Sequence, residues 1–367
     1  MPLLARIVTT PLAVEVRRGA VAELGRLLAD QRISAGGQVA VVVGPGQGAK
    51  ITEMIRPTLG AADVFTVAGG TIDAAQELIG RLRQRSYDAV VGIGGGKTID
   101  TAKYAATRYG LPMVSVATSL AHDGIASPVS SLDHEGGRGS YGVHIPIAVI
   151  VDLDFVASGP VHLIRAGIGD AVSNLSAVAD WELAHRVRGE PIDGLAVTLA
   201  RTGAEALVNH PGTVKDDAFL TTLAEALVLG GVAMAICGSS RPCSGGCHEI
   251  SHAVDRLYPH TAMHGEQTGA GALFCTFLRA DIGRFEQLAA CLQRHSLPRT
   301  PADLGLTEEQ FTAAVRHAPA TRPDRYTILE HLDLSADEAA ARVKEYAARL
   351  STVDRDTLDR GTGGAGG

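Results

Sequence analysis

Asp170, in the stretch Ile168-Gly-Asp-Ala-Val-Ser-Asn174, and three histidines far along the chain are the residues whose types could do chemistry together. His248 and His252 stand four apart in Cys247-His-Glu-Ile-Ser-His252, so a helix puts them on one face. His264 follows in Met263-His-Gly-Glu-Gln267. One carboxylate with two imidazoles supplies three oxygen and nitrogen ligands, and an exchangeable fourth position makes a catalytic rather than a structural zinc site. Taken singly, each residue has a plainer role: an Asp near a helix start caps it, and a lone His is a satisfied polar group. The metal follows only from the set. Asp and His also hold iron or nickel, so zinc is the first expectation and those two the alternatives.

A second group of residues could hold a phosphate. The β-branched run Ala89-Val-Val-Gly-Ile93 leads into Gly94-Gly-Gly-Lys-Thr98 and then a helical pattern to Tyr109. Successive glycines let backbone N–H groups approach an anion at a helix N-terminus, whose dipole favours negative charge. The spacing is not that of a nucleotide-hydrolysing P-loop, because the position of its first glycine is Val91, and it is not GxGxxG either. Phosphate binding without nucleotide hydrolysis is expected. The next apolar run, Leu111 to Thr118, opens into Ser119-Leu-Ala-His-Asp-Gly-Ile-Ala-Ser-Pro128, which sets hydroxyls, an imidazole and the Asp123 carboxylate at a strand's carboxyl end.

The elements that must position these groups read as alternating strand and helix up to about residue 155. Strands are expected at 12–16, 38–44, 64–67, 89–93, 111–118 and 147–151. Helices are expected around 21–29, 54–59, 72–85 and 99–109. That alternation predicts a doubly wound parallel sheet, with ligands off the carboxyl ends of its strands. From Val161 on, strand patterns stop. Helices are expected at 168–188, 193–209, 216–239, 246–258, 264–280, 283–295, 308–317, 325–332 and 336–349. The expected organisation is an α/β nucleotide-binding domain over 1–160, an all-helical metal and substrate domain over 161–355, and a disordered glycine-rich tail over 356–367.

Composition narrows the function classes. At 367 residues, 46% apolar and 20% charged, the chain is globular and long enough for two domains. A net charge of −7 leaves no electrostatic footprint for nucleic acid, and no polybasic run suggests a membrane surface. The longest apolar run, Ala226 to Gly238, is too short to span a bilayer and is expected to be a buried core helix. Five cysteines, an odd count with no metal-binding spacing, fit reduced thiols and a cytoplasmic protein. No signal peptide is expected, since Arg6 and Pro11 interrupt the N-terminal run.

The segments Gly94-Gly-Gly-Lys-Thr-Ile-Asp-Thr-Ala-Lys103, Ala121-His-Asp-Gly-Ile-Ala-Ser-Pro128, Gly167 to Asn174, Gly238-Ser-Ser-Arg-Pro-Cys-Ser-Gly-Gly-Cys-His248 and His264-Gly-Glu-Gln267 together resemble the glycerol-1-phosphate dehydrogenases. These belong to the superfamily of iron-containing alcohol dehydrogenases and dehydroquinate synthases. The resemblance implies a Rossmann-like α/β domain, a helical metal-binding domain and an active site in the cleft between them. It implies NAD(P)H-dependent, metal-dependent reduction of dihydroxyacetone phosphate to sn-glycerol 1-phosphate. A homo-oligomer whose partner is a phosphorylated small molecule is expected. Carried over by motif, Asp170, His248 and His264 hold the metal, while Asp123, Asp170 and His252 touch substrate. Gly94, Gly95, Gly96, Lys97, Thr98, Ile99, Asp100, Thr118, Ser119, Leu120, Ala121 and Ser127 bind the cofactor.

Asn174 stands where the iron-type enzymes carry a fourth ligand, which favours the three-ligand, zinc-like set. The resemblance covers residues 90 to 270, and Cys243 and Cys247 depart from its usual pattern. In the mechanism expected, Asp123 orients the substrate and His252 passes a proton to the developing alkoxide. Arg241 is expected to grip the substrate phosphate by a bidentate contact. Two alternatives share the fold: a dehydrogenase of another polyol, ketone or sugar phosphate, and a dehydroquinate synthase-like cyclase. A non-catalytic nucleotide-binding protein is a third.

Overall fold

The computed structural model describes residues 8–59, 62–135 and 137–362. The first part of the chain alternates as expected: β1 (Ala13–Arg17), α1 (Leu24–Leu28), β2 (Val39–Val43), α2 (Gln47–Ile55), β3 (Ala62–Thr66), α3 (Ile72–Leu82), β4 (Ala89–Gly94), α4 (Gly96–Tyr109) and β5 (Met113–Ala117). A hairpin follows, β6 (Val129–His134) and β7 (Gly137–Gly142), then β8 (Ala148–Asp152) and α5 (Leu153–Ser158). Six strands form one parallel sheet in the order β1-β8-β5-β4-β2-β3. Every residue of β2, β4, β5 and β8 is buried, as continuous apolar strands covered on both faces must be. Val41, Val91, Val114 and Ile150 pack with Leu24 and Ile51 in one core, while Ala75, Tyr104, Leu132 and Val143 form another.

The β6–β7 hairpin was not expected from sequence. Gly137-Arg-Gly-Ser-Tyr-Gly142 is too glycine-rich to read as a strand, and it is held by its pairing with β6, which is itself anchored by the Asp133 N–H donating to the Gly70 carbonyl at 2.8 Å. The helix expected at 54–59 begins earlier, at Gln47, and tightens into a 3-10 turn at Arg56–Thr58, where Pro57 lacks the N–H that the helix needs.

The remaining helices are α6 (Val161–Arg188), α7 (Gly194–Asn209), α8 (Asp217–Cys237), α9 (Gly246–Leu257), α10 (His264–Leu278), α11 (Ile282–Arg294), α12 (Glu308–His317), α13 (Ile328–Leu332) and α14 (Ala336–Thr362). Side chains cap several of these helices. Asp193 accepts from the Leu195 and Ala196 N–H groups, and Thr307 with Gln310, like Thr327 with Glu330, closes a capping box. α6 begins at Val161 rather than 168. The tail expected from 356 falls on the last turns of α14 and on residues 363–367, which lie outside the described ones.

Contacts gather the chain into two units: Met1–Ala171 with Asp193–Ser240, and Val172–Ile192 with Arg241–Gly367. The sequence suggested one boundary near 160, but the contacts group α7 and α8 with the sheet. α8 approaches the loop after β5 so closely that a Cβ on Gly231 would stand 2.5 Å from the Ala126 carbonyl oxygen. One expectation is corrected here. Counting only the run 226–238 made α8 too short for a bilayer, whereas the whole helix of 21 residues has the length and apolar composition to cross one. In the structure 61% of that apolar window is buried within the protein.

Candidate active site and metal centre

In the first unit, β4 ends at Gly94 and α4 starts at Gly96, so the glycine loop is a strand-to-helix turn of one residue. The Gly95 carbonyl accepts from the Thr98 and Ile99 N–H groups at 3.0 and 3.1 Å. The N–H groups before them, at the exposed start of a 14-residue helix, are those that a phosphate would take. β5 runs alongside, and its end is tied to the loop by the Thr118 N–H donating to the Gly94 carbonyl at 3.0 Å. Ser119 follows directly, with its hydroxyl facing Gly95.

Other residues of the expected cofactor set have structural work. Ile99 and Leu120 are fully buried, and the Ser127 hydroxyl donates to the Val129 carbonyl at 3.2 Å. Ala121 is half-buried, and the Lys97 methylenes lie against Gly70. Asp100 lies 3.1 Å from the Lys103 ammonium, which itself donates to the Ser127 and Val129 carbonyls at 3.1 and 2.5 Å.

Asp123 and Asp170 come together in the same unit. The Asp123 N–H donates to Asp170 Oδ2 at 2.9 Å. α6 can present Asp170 there because Gly167 brings it against the loop: a Cβ at 167 would stand 1.7 Å from the Leu120 carbonyl oxygen. Burial pushes the Asp170 carboxyl well above the usual range, and the neighbouring Asp123 carboxylate pushes it the same way. The Asp123 carboxyl is raised by burial too, against the pull of His122 and Lys103. The Asp123 carboxylate thus hinders ionisation of the buried Asp170, which a cation bound there would favour.

In the second unit α9 carries His248 and His252, and α10 begins at His264. The three rings form one cluster, with centroids 5.1 Å apart for His248 and His264 and 6.4 Å for each of the other pairs. Burial and the neighbouring His264 hold His248 well below its usual pKa, so its ring is neutral with a lone pair to give. The tautomer of His264 follows from its partner. The Ser251 hydroxyl donates to Gln267 Oε1 at 2.7 Å and therefore accepts from His264 Nδ1 at 3.0 Å, leaving Nε2 as the ligand atom. Gln267 is held in turn by Asp255 and the Ala262 carbonyl.

Ligand atoms of Asp170, His248 and His264 all lie within 4.8 Å of one another. Two neutral imidazoles and one carboxylate fit a divalent ion of the zinc class, with room for an exchangeable ligand. Cys247 adds nothing to the set: burial pushes its thiol up to about 12, so it stays protonated, 3.4 Å from His248 Nδ1.

Arg241 stands elsewhere than expected. Its guanidinium grips Glu190 through both carboxylate oxygens, at 2.6 and 2.5 Å, and also donates to the Tyr326 carbonyl. The fork meant for a phosphate is thus taken by an internal carboxylate. Sequence reasoning also missed Asp180. Fully buried, it accepts from the Gly246 N–H at 2.8 Å and the Ile328 N–H at 2.7 Å, and pairs with Arg279. It thereby fixes the start of α9, two residues before His248. A carboxylate inside the apolar stretch of α6 was the available signal.

The chain matches known proteins along most of its length. The family described as iron-containing alcohol dehydrogenase matches residues 15–160. A glycerol-1-phosphate dehydrogenase [NAD(P)+] of Methanosphaerula palustris is 38% identical over 299 residues, covering 81% of this chain and 82% of the relative. The corresponding protein of Methanosarcina mazei is 34% identical over 346 residues, 92% and 96% of the two chains. Among solved structures, glycerol dehydrogenase from Schizosaccharomyces pombe superposes with a TM-score of 0.75 at 22% identity, covering 96% of this chain and 93% of that one, which establishes the fold.

Proposed function

The chain belongs to the glycerol-1-phosphate dehydrogenase family, and from that membership we propose how its residues serve the reaction. It is an NAD(P)-dependent oxidoreductase that interconverts dihydroxyacetone phosphate and sn-glycerol 1-phosphate. The grouping of Asp170, His248 and His264 within 4.8 Å is the observation that carries the metal-dependent reading. A divalent ion held there would polarise the substrate carbonyl as a Lewis acid, and the nicotinamide would supply the hydride.

The chain's own part is to bind, orient and move a proton. The free amides at the start of α4 hold the cofactor pyrophosphate, with Thr118 and Ser119 beside them. The Asp123 N–H fixes one oxygen of Asp170, so that carboxylate enters the ligand set in one orientation. The Asp123 carboxyl takes a substrate hydroxyl. His252, whose ring lies beside both metal histidines, passes the proton to the ketone oxygen as it becomes an alcohol. No acidic residue follows β2 in Gly44-Pro-Gly-Gln-Gly48 to repel a 2′-phosphate, so NADH and NADPH should both serve. The reading places the enzyme in the cytoplasm as a homo-oligomer.

The test is dihydroxyacetone phosphate-dependent oxidation of NADH and of NADPH, with zinc present and after chelation, and with the product's stereochemistry assigned. Metal-dependent formation of sn-glycerol 1-phosphate is expected. Turnover that survives complete metal removal, or none with this ketone, would refute it.

A further inference from the structure

The His122 imidazole belongs to neither the metal set nor the expected cofactor set, yet it lies against the glycine loop. A Cβ on Gly96 would stand 2.1 Å from His122 Nε2, so the residue at 96 has no side chain because an imidazole occupies that space. The ring's tautomer is fixed from behind. The Gly124 N–H donates to His122 Nδ1 at 2.9 Å, which makes Nδ1 the acceptor and puts the proton on Nε2. An N–H donor therefore stands at the first residue of α4.

Around it the loop is short of acceptors. The Gly96 and Lys97 N–H groups precede the first amide bonded within α4, at Thr98. The Ser119 hydroxyl would lie 3.2 Å from a Cβ on Gly95. Ser119 as a residue is nine-tenths buried, and its hydroxyl makes no hydrogen bond among the described residues. Amides, a hydroxyl and an imidazole N–H thus converge on the start of α4, and of the carboxylates near the ring Asp100 is paired with Lys103 while Asp123 sits on the following turn, so the donors facing the loop suit an anion.

We propose that His122 is a cofactor-binding residue, donating its Nε2–H to the dinucleotide pyrophosphate at the start of α4. The assignment rests on the cofactor reading above and adds to it a donor outside the glycine loop. It also joins two parts of the site. The turn that His122 anchors carries the Asp123 N–H on Asp170, so the residue that meets the pyrophosphate is covalently next to the one that orients a metal carboxylate.

The experiment compares wild type with His122→Phe, which fills the space without a donor, and His122→Gln, whose amide restores one. Affinities for NADH, ADP-ribose and AMP are measured by calorimetry, with circular dichroism melts and metal content as checks. His122→Phe should weaken NADH and ADP-ribose about tenfold or more, the weight of a hydrogen bond to an anion. AMP, which lacks the pyrophosphate, should lose less than about twofold, and His122→Gln should recover most of the difference. Should the Phe variant not fold, His122→Asn, too short to reach the loop, replaces it. ADP-ribose affinity unchanged in the Phe or Asn variant, or ADP-ribose and AMP weakened in parallel, would overturn the proposal and leave His122 a packing residue. Wild type that binds ADP-ribose without reducing dihydroxyacetone phosphate would refute the activity and leave His122 in place. Wild type that binds no ADP-ribose would overturn both.

Discussion

Lys103→Met should show how much of the cofactor loop depends on one buried charge. The side chain is wholly inside, 3.1 Å from the equally buried Asp100 and bonded to the Ser127 and Val129 carbonyls at 3.1 and 2.5 Å. Methionine keeps nearly the same length and volume, so packing is preserved and the lost terms are electrostatic. Removing one partner of a buried pair leaves the other uncompensated, at about 3–5 kcal/mol. The Ser127 carbonyl loses its ammonium donor, adding about 1 kcal/mol, while the Val129 carbonyl keeps the Ser127 hydroxyl. At roughly 2–4 °C per kcal/mol for a unit of this size, the melting temperature should fall by about 10–20 °C.

The assay is a thermal melt followed by circular dichroism, with ADP-ribose affinity measured well below the transition. Affinity should fall too, because Lys103 holds the segment that runs from Asp123 to the start of β6. The double variant Asp100→Asn/Lys103→Met removes both charges and should recover at least about 2 kcal/mol relative to the sum of the single effects. A Lys103→Met melt within about 3 °C of wild type, or a double variant no better than additive, would refute this account of the loop.

Removing the metal ligands should separate binding from chemistry. Asp170→Asn, His248→Ala and His264→Ala are each expected to lose stoichiometric metal by elemental analysis, and turnover with it, while ADP-ribose still binds. Gly167→Ala would drive a methyl into the Leu120 carbonyl, so the loop or α6 must shift by more than 1 Å. A stability loss of at least about 1–3 kcal/mol in denaturant titration, with a raised KM for NADH, is expected. Arg241→Ala should destabilise the protein by about 3 kcal/mol, the low end for a buried pair because Glu190 keeps 30% of its side-chain exposure. It should weaken dihydroxyacetone phosphate no more than dihydroxyacetone, and a selective loss of the phosphorylated ketone would restore Arg241 to the substrate site.

What could be read from the sequence follows from where each signal resides. The buried strands were legible because a strand covered on both faces must be apolar throughout, as Val39–Val43 and Ala89–Gly94 are. The helices of the second half were legible from their long apolar runs without strand pattern, while the caps that fix some starts, Asp193, Thr307 and Thr327, are seen only in the structure. The β6–β7 hairpin was hidden because its second strand is held by backbone bonds and carries little side-chain pattern. The start of α6 was hidden for the opposite reason. Gly167 and Gly169 look like helix breakers, but Gly167 is there so that the helix can lie against the Leu120 carbonyl.

The chemistry divides in the same way. Asp170, His248 and His264 could be proposed from residue type, since few other side chains give that donor set. Partner choice could not be read off. Arg241 is an anion-gripping fork wherever it stands, and only the fold decides that its anion is Glu190. The same holds for Asp180, whose two carboxylate oxygens serve Gly246 and Ile328, residues 66 and 148 positions away. A side chain's capacity is written locally, and its employment is settled by contacts far apart along the chain. For that reason the tautomers of His122 and His264, each fixed by a single neighbour, say more about this site than the presence of the histidines did.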